Sequence, residues 1–361
     1  MLVACCLMSA WPRAQPSQPP SEFRRPANDA DLRYWLQNMV VFHRFTTGEV
    51  SAATGLTPDE VAAALRRFDL VNRPPPRRAP GEPLRVLPYP GGRHPRLGFL
   101  EGAVRPQRET KLSVFTPWDD ASYVVVDVPE AIFSNLGLIY LAHTHVPTIW
   151  SQQGVELPRL EWNRGSDGTF DIERALPNGI VFGAKAVPTP AAVRLELWLR
   201  NGTPDKLTGL RVQNCVMLKA AVGFNQLTAT NKVFTKPYAA VRSDDGRRWI
   251  ITGWEPCDRC WGNQQVPCLH ADPKFPDCAP GETVRVRGWL SFYEGADLQA
   301  ELKRIEETGW RAAPRTGDRG LPQRAPASAG IPRGVSFPLV VTTAVQAGKM
   351  CLGGRFSFTP R

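Results

Sequence analysis

The chain has 361 residues and a formal net charge of +10, with 35 Pro, 30 Gly, 8 Cys and 11 Trp. That length holds one large domain or two ordinary ones around a sizeable core, and the Pro and Gly content falls short of a disordered composition. The charge does not describe a nucleic-acid groove: Trp310–Arg361 carries eight basic residues against Asp318 alone, so the body of the chain is near neutral and no nucleic-acid partner is expected.

Taken in order, Met1–Gln15 (MLVACCLMSAWPRAQ) holds an apolar run too short to span a bilayer. It suits the hydrophobic part of a secretory signal, so a secreted or periplasmic protein is expected, with no membrane span. Residues 16–30 read as a polar, Pro-rich linker. Residues 31–70 read as helical, because Leu32, Trp35, Leu36, Met39, Val40 and Phe42 recur at helical spacing. Gly55 ends one short helix, and Thr57-Pro58-Asp59-Glu60 opens the next with a capping box and Pro at its first position. This segment resembles a helix-turn-helix over about twenty residues, but Asp59 and Glu60 would meet phosphate at the end that reads DNA. A small cap or protein-interaction module is the reading kept.

Residues 71–83 (VNRPPPRRAPGEP) form a stiff linker. Beyond it, strands are predicted at Leu84–Leu87, Lys111–Phe115, Tyr123–Val128, Leu136–Leu141, Thr169–Glu173, Ile180–Ala186, Val193–Arg200, Leu210–Leu218, Tyr238–Arg242, Trp249–Trp254 and Thr283–Tyr293, bounded by turn residues. In Val193–Arg200 the residues Val193, Leu195, Leu197 and Leu199 share one face. In Leu210–Leu218 the residues Leu210, Val212, Asn214, Val216 and Leu218 share one face, with Cys215 and Met217 on the other. These two are read as neighbours in one antiparallel sheet. So many strands with almost no helix between them predict a mainly β, two-sheet antiparallel sandwich over 84–309. Asp297–Thr308 is a short amphipathic helix closing it, and 310–361 is a basic, low-complexity tail.

Several groups could carry chemistry. His143 and His145 lie two apart on a strand and share a face, as acid/base groups or as two ligands of a metal such as zinc. Cys257, Cys260, Cys268 and Cys278, with His270 among them, fit either two disulfides or a tetrahedral zinc site stapling a long irregular loop. Trp118-Asp119-Asp120, Trp150, Trp162-Asn163-Arg164, Asn225, Asn231, Tyr238, Arg242, Trp254 and Trp261 fall mostly at strand ends or in loops. Aromatic rings beside Asn, Asp and Arg suit a sugar, with Tyr238, Arg242, Trp254, Trp150 and Asn225 as the expected lining. For the tryptophans as a group, core packing is the stronger reading.

The stretch LPNGIVFGAKAVPTPAAVRLELWLRNGTPDKLTGLRVQNCVMLK (Leu176–Lys219) resembles consecutive strands of the galactose-mutarotase-like supersandwich. The resemblance implies that fold, and a histidine pair acting at a sugar's anomeric carbon, for which His143 and His145 are the pair present. An exported protein that binds or processes carbohydrate is therefore expected. The alternatives are a non-catalytic envelope protein making protein contacts and a zinc-dependent hydrolase built on His143 and His145.

Overall fold

Period-two burial organises the molecule, and its outcome is a two-sheet antiparallel β-sandwich. In the computed structural model residues 23–96, 108–142 and 146–312 are described. One sheet has seven strands in the order β1 (Val86–Pro88), β2 (Lys111–Phe115), β3 (Tyr123–Ser134), β9 (Val212–Met217), β14 (Cys268–Pro273) and β13 (Cys257–Asn263), with β4 (Gly137–Leu141) also paired to β3. The other has eight: β10 (Lys232–Thr235), β11 (Tyr238–Arg242), β12 (Arg248–Glu255), β15 (Thr283–Glu294), β8 (Ala192–Arg200), β7 (Val181–Pro188), β6 (Phe170–Ala175) and β5 (Asn163–Arg164). All strand pairings are antiparallel.

Val193, Leu195, Leu197 and Leu199 on β8 face Leu210, Val212, Val216 and Leu218 in one shared core. The alternation was legible, but the pairing was not. β8 and β9 are not neighbours in one sheet; they belong to opposite layers, and the Asn201–Arg211 connection carries the chain across the sandwich. Apolar alternation reports which face is inward and is silent on which sheet a strand joins.

The cysteine-rich stretch also differs from the expectation. It is an antiparallel hairpin, β13 with β14, and not an irregular loop. Pro256, Pro267 and a string of polar residues punctuate it like a loop, while its buried polar side chains hide the alternation.

Helices cover both outer faces. α1 (Asp29–Leu36) is capped by Asn28, whose side chain accepts from the Asp31 amide, and it runs on into a π-helical turn at Gln37–Phe42. α2 (Thr47–Thr54) ends at Gly55 with φ +69°, a left-handed position that suits glycine. α3 (Pro58–Arg67) opens with the expected box: the Thr57 amide donates to Glu60 Oε2 at 2.7 Å and the Glu60 amide to Thr57 Oγ1 at 3.2 Å. These helices bury Leu36, Met39, Val41, Val50, Ala53 and Val61 against Phe115, Tyr123, Val125, Cys215, Met217 and Cys268 of the seven-stranded sheet. Full burial of each Leu, Val or Met side chain contributes about 1.5–3 kcal/mol, so the segment is completed by the sheet beneath it. On the opposite side α4 (Leu298–Glu307), capped by Asp297, lays Leu298, Leu302 and Ile305 against Tyr238, Trp249 and Trp289. No described helix is long and apolar enough to cross a membrane.

Trp254 anchors the interior. It is 1% exposed and lies directly across from Gly288, where an added Cβ would sit 2.7 Å from the indole atoms Cε2 and Cζ2. Gly288→Ala is therefore expected to cost about 1–3 kcal/mol by overpacking, measured as a lower urea midpoint. A stability equal to that of the parent would show that the ring moves freely.

Candidate functional site

The carbohydrate lining expected from sequence does not assemble. On β11, Tyr238 points outward to the α4 side and on β12 Trp254 points into the sandwich, because Tyr238 pairs with Gly253 and the next residue takes the opposite face. Tyr238 donates its hydroxyl to Glu306 Oε1 at 2.5 Å and accepts from Trp310 Nε1 at 2.8 Å, a packing role. Trp150 is buried with its Nε1 donating to Ile139 O at 2.8 Å. Arg242 is exposed, its guanidinium 5.7 Å above the Trp249 ring. His143 and His145 lie outside the described residues, as do Met1–Gln15 and most of the basic tail.

The four cysteines do not converge either. The pleat sets Cys260 opposite Ala271, on the sandwich side of the hairpin, while Cys268 shares the outer face with His270. Cys257 and Cys260 stand 3.6 Å apart, sulfur to sulfur, at the β13 end, and Cys278 is buried in the core. All five described cysteines, Cys215 included, are free thiols.

Trp118-Asp119-Asp120 does lie at a cavity. An open cavity of about 560 Å³ is lined by Arg44, Arg77, Arg78 and Arg85 with Phe115, Thr116, Trp118, Asp119 and Asp120. The Pro-rich 71–83 segment supplies Arg77 and Arg78, the entry to β1 supplies Arg85, and the β2–β3 connection supplies the acidic pair. Arg85 reaches Asp120 Oδ1 at 3.9 Å, bonds to Pro76 O, and lies 4.9 Å above the Phe42 ring. Arg78 donates to Glu82 O at 2.6 Å. Asp119 accepts from the Ala121 amide at 2.8 Å. Among the described residues, the Arg44 and Arg77 side chains have no carboxylate partner.

Trp118 is not a free stacking platform. Phe224 stacks on it with centroids 6.0 Å apart, Phe292 meets it edge-on at 5.5 Å, and Arg248 lies 5.2 Å from its ring centre. The cavity therefore offers cationic and hydroxyl contacts more than an aromatic face. Sequence reasoning missed the arginines because three of the four come from a linker and a loop whose convergence no local pattern records.

A second cavity of about 390 Å³ adjoins the first through Arg44 and Ala121, and is lined by His43, Arg93, Tyr123, Lys219 and Asn225 among others. Asn225, one residue of the expected lining, thus reaches this cavity. Arg93 is fixed by Glu49, with Nη2 2.8 Å from Oε2, and donates to the Tyr123 hydroxyl at 3.1 Å. Burial pushes the Glu49 carboxyl up, but the bond from Arg93 and the Thr46 amide outweigh it and hold it below its ordinary value. His43 is buried, with Nδ1 2.9 Å from Asn38 O and Nε2 2.7 Å from Ser113 Oγ. Since a carbonyl only accepts, Nδ1 carries the proton and Nε2 accepts from the serine hydroxyl. Burial pushes this imidazole down to about 3, so it is neutral at ordinary pH.

No protein-family model matches the chain, and no curated protein matches it. Among solved structures it is similar to a putative kojibiose phosphorylase from human microbiome (5% identity, TM-score 0.32), covering 52% of this chain and 26% of that one. It is similar also to the Slr1438 protein from Synechocystis sp. PCC 6803 (9% identity, TM-score 0.31), covering 58% of this chain and 91% of that one. A third is a putative mutarotase, YeaD, from Salmonella typhimurium (9% identity, TM-score 0.28), with 51% of this chain and 90% of that one covered. The chain spans about a quarter of the length of the phosphorylase it matches.

Proposed function

We propose that this is an exported carbohydrate-binding β-sandwich whose ligand is an acidic saccharide, one bearing carboxylate or sulfate groups. The observation that carries this is the 560 Å³ cavity in which four arginines surround two aspartates and a threonine. Guanidinium forks match carboxylate and sulfate oxygens in pairs, and Asp119, Asp120 and Thr116 are suited to sugar hydroxyls. A neutral sugar would depend on an open aromatic face, and Trp118 has its ring contacts taken by Phe224, Phe292 and Arg248. Export rests on the apolar Met1–Gln15 run and is checked by fractionating cells that express the full chain.

Calorimetric titration of the full chain with a uronate oligosaccharide, a sulfated one and a neutral one tests the ligand class. The acidic ligands are expected to bind and the neutral one not. Arg77→Ala, at an exposed linker position, should weaken binding about tenfold or more, the loss of one charge-assisted hydrogen bond. Equal affinity for neutral and acidic sugars, or no effect of Arg77→Ala, would remove the basis for the reading.

A further inference from the structure

The outer face of the β13–β14 hairpin carries a separate constellation that the sugar reading does not use. On β14, Cys268, His270 and Asp272 are two apart and so share one face; Cys215 projects from neighbouring β9 into the same space. The two sulfurs and an imidazole nitrogen all lie within 4.8 Å of one another, with Cys268 Sγ 3.3 Å from His270 Nε2. Two thiols and an imidazole at such separations are the donors of a tetrahedral zinc site.

The surroundings hold the imidazole for that purpose. Trp261 stacks on it with centroids 3.9 Å apart and planes at 10°. Nδ1 of His270 is buried with no hydrogen-bond partner, and Asp272 Oδ1 lies 3.7 Å from it. A metal on Nε2 would leave the proton on Nδ1, aimed at that carboxylate, which is the usual outer contact of a ligating histidine. Asp272 is itself fixed by Trp261 Nε1 at 2.7 Å, Arg259 Nε at 2.8 Å and the Asn214 amide at 3.0 Å. Arg96 Nη2 lies 3.7 Å from Cys215 Sγ and pairs with Glu130.

We propose that Cys215, Cys268 and His270 bind a zinc ion that pins β9 to β14, with Asp272 orienting the histidine and a fourth position left to a non-protein ligand. Burial decides between this and a nucleophilic cysteine. Cys215 is 0%, Cys268 1% and His270 1% exposed, which bars a substrate but suits an ion held away from bulk solvent. A pin is also needed there. The β9–β14 register stops after Cys268↔Met217 and Leu269↔Val216, and beyond it the Asn214 amide turns to the Asp272 side chain.

The test uses the full chain, purified under reducing conditions and stripped of metal, then titrated with Zn²⁺ and with Co²⁺. One ion per chain is expected, with the d–d and sulfur-to-metal absorption of tetrahedral cobalt thiolate. Cys257→Ser/Cys260→Ser, on the half-buried hairpin end, should keep the signal; Cys215→Ser and Cys268→Ser should lose it. Should those two variants not fold, zinc-edge X-ray absorption on the folded Cys257→Ser/Cys260→Ser protein decides, with two sulfurs and one imidazole expected. Folded parent that takes up no metal, a signal that vanishes with Cys257 and Cys260, or a Cys215–Cys268 disulfide in the native protein would each overturn the proposal. None of these outcomes bears on saccharide binding by the arginine cavity.

Discussion

Lys111→Met is expected to lower the unfolding free energy by about 3–5 kcal/mol, seen as a fall in the urea midpoint at constant slope. Lys111 on β2 and Asp127 on β3 are direct cross-strand partners, with Nζ 2.9 Å from Oδ2, and both side chains are 0% exposed. Asp127 Oδ1 also accepts the Thr110 hydroxyl at 2.6 Å. Met fills the volume of the lysine stem but removes the cation directly across from a fully buried carboxylate, and the loss of that charge pairing dominates. The double replacement Lys111→Met/Asp127→Leu removes both charges of this pair and should recover part of that loss. If the single variant lost less than about 1 kcal/mol, the ordinary value for an exposed pair, the pair would have to be solvated in the folded protein.

The second large effect is on acid stability. His43 sits with its imidazole at about 3 in the folded chain against an ordinary value of 6.5, because burial disfavours the charged ring and Arg93 adds repulsion. Its aromatic neighbours Phe45, Tyr89, Phe115 and Tyr123, with centroids 4.7–6.0 Å away, offer no counter-charge. Above pH 6.5 both folded and unfolded forms are neutral and the full stability is present. As the pH falls below 6.5 the unfolded chain takes up a proton that the folded one refuses until about 3, so stability drops at up to about 1.4 kcal/mol per pH unit. Between pH 6.5 and 4.5 the expected loss is about 2–3 kcal/mol. Glu49, held low by Arg93, adds its own loss only at more acid pH, within the carboxylate range. Urea melts at pH 7, 5.5 and 4.5 measure the slope, and His43→Gln should flatten it. An unchanged slope in that variant would assign the acid sensitivity elsewhere.

Which features the sequence exposed follows from how local their causes are. Lys111–Phe115 and Tyr238–Arg242 begin and end where the alternation and the flanking turns put them. The Thr57–Glu60 box is visible because its two hydrogen bonds join residues three apart. β14 was missed for the opposite reason. Its outward residues Cys268, His270 and Asp272 are buried yet polar, since a helical layer and neighbouring polar groups cover that face. A hydrophobic pattern cannot register such a strand. The tryptophans followed the core reading: Trp150, Trp162, Trp249, Trp254, Trp289 and Trp310 are buried. The arginine cavity and the partnership of Cys215 with His270 arise from segments far apart in the chain, and only the folded topology unites them.

The crossing between β8 and β9 is not isolated. The chain changes layer again between β4 and β5, β9 and β10, β12 and β13, and β14 and β15. Neither layer is a continuous stretch of polypeptide, so no single cut yields a fragment with one whole sheet. Pairing must wait for closure of long loops, which slows assembly and ties both layers to one cooperative step. A ribosome-bound chain that stops before β15 lacks the strand between β12 and β8. The protein can become whole only once nearly all of its sandwich has been synthesised.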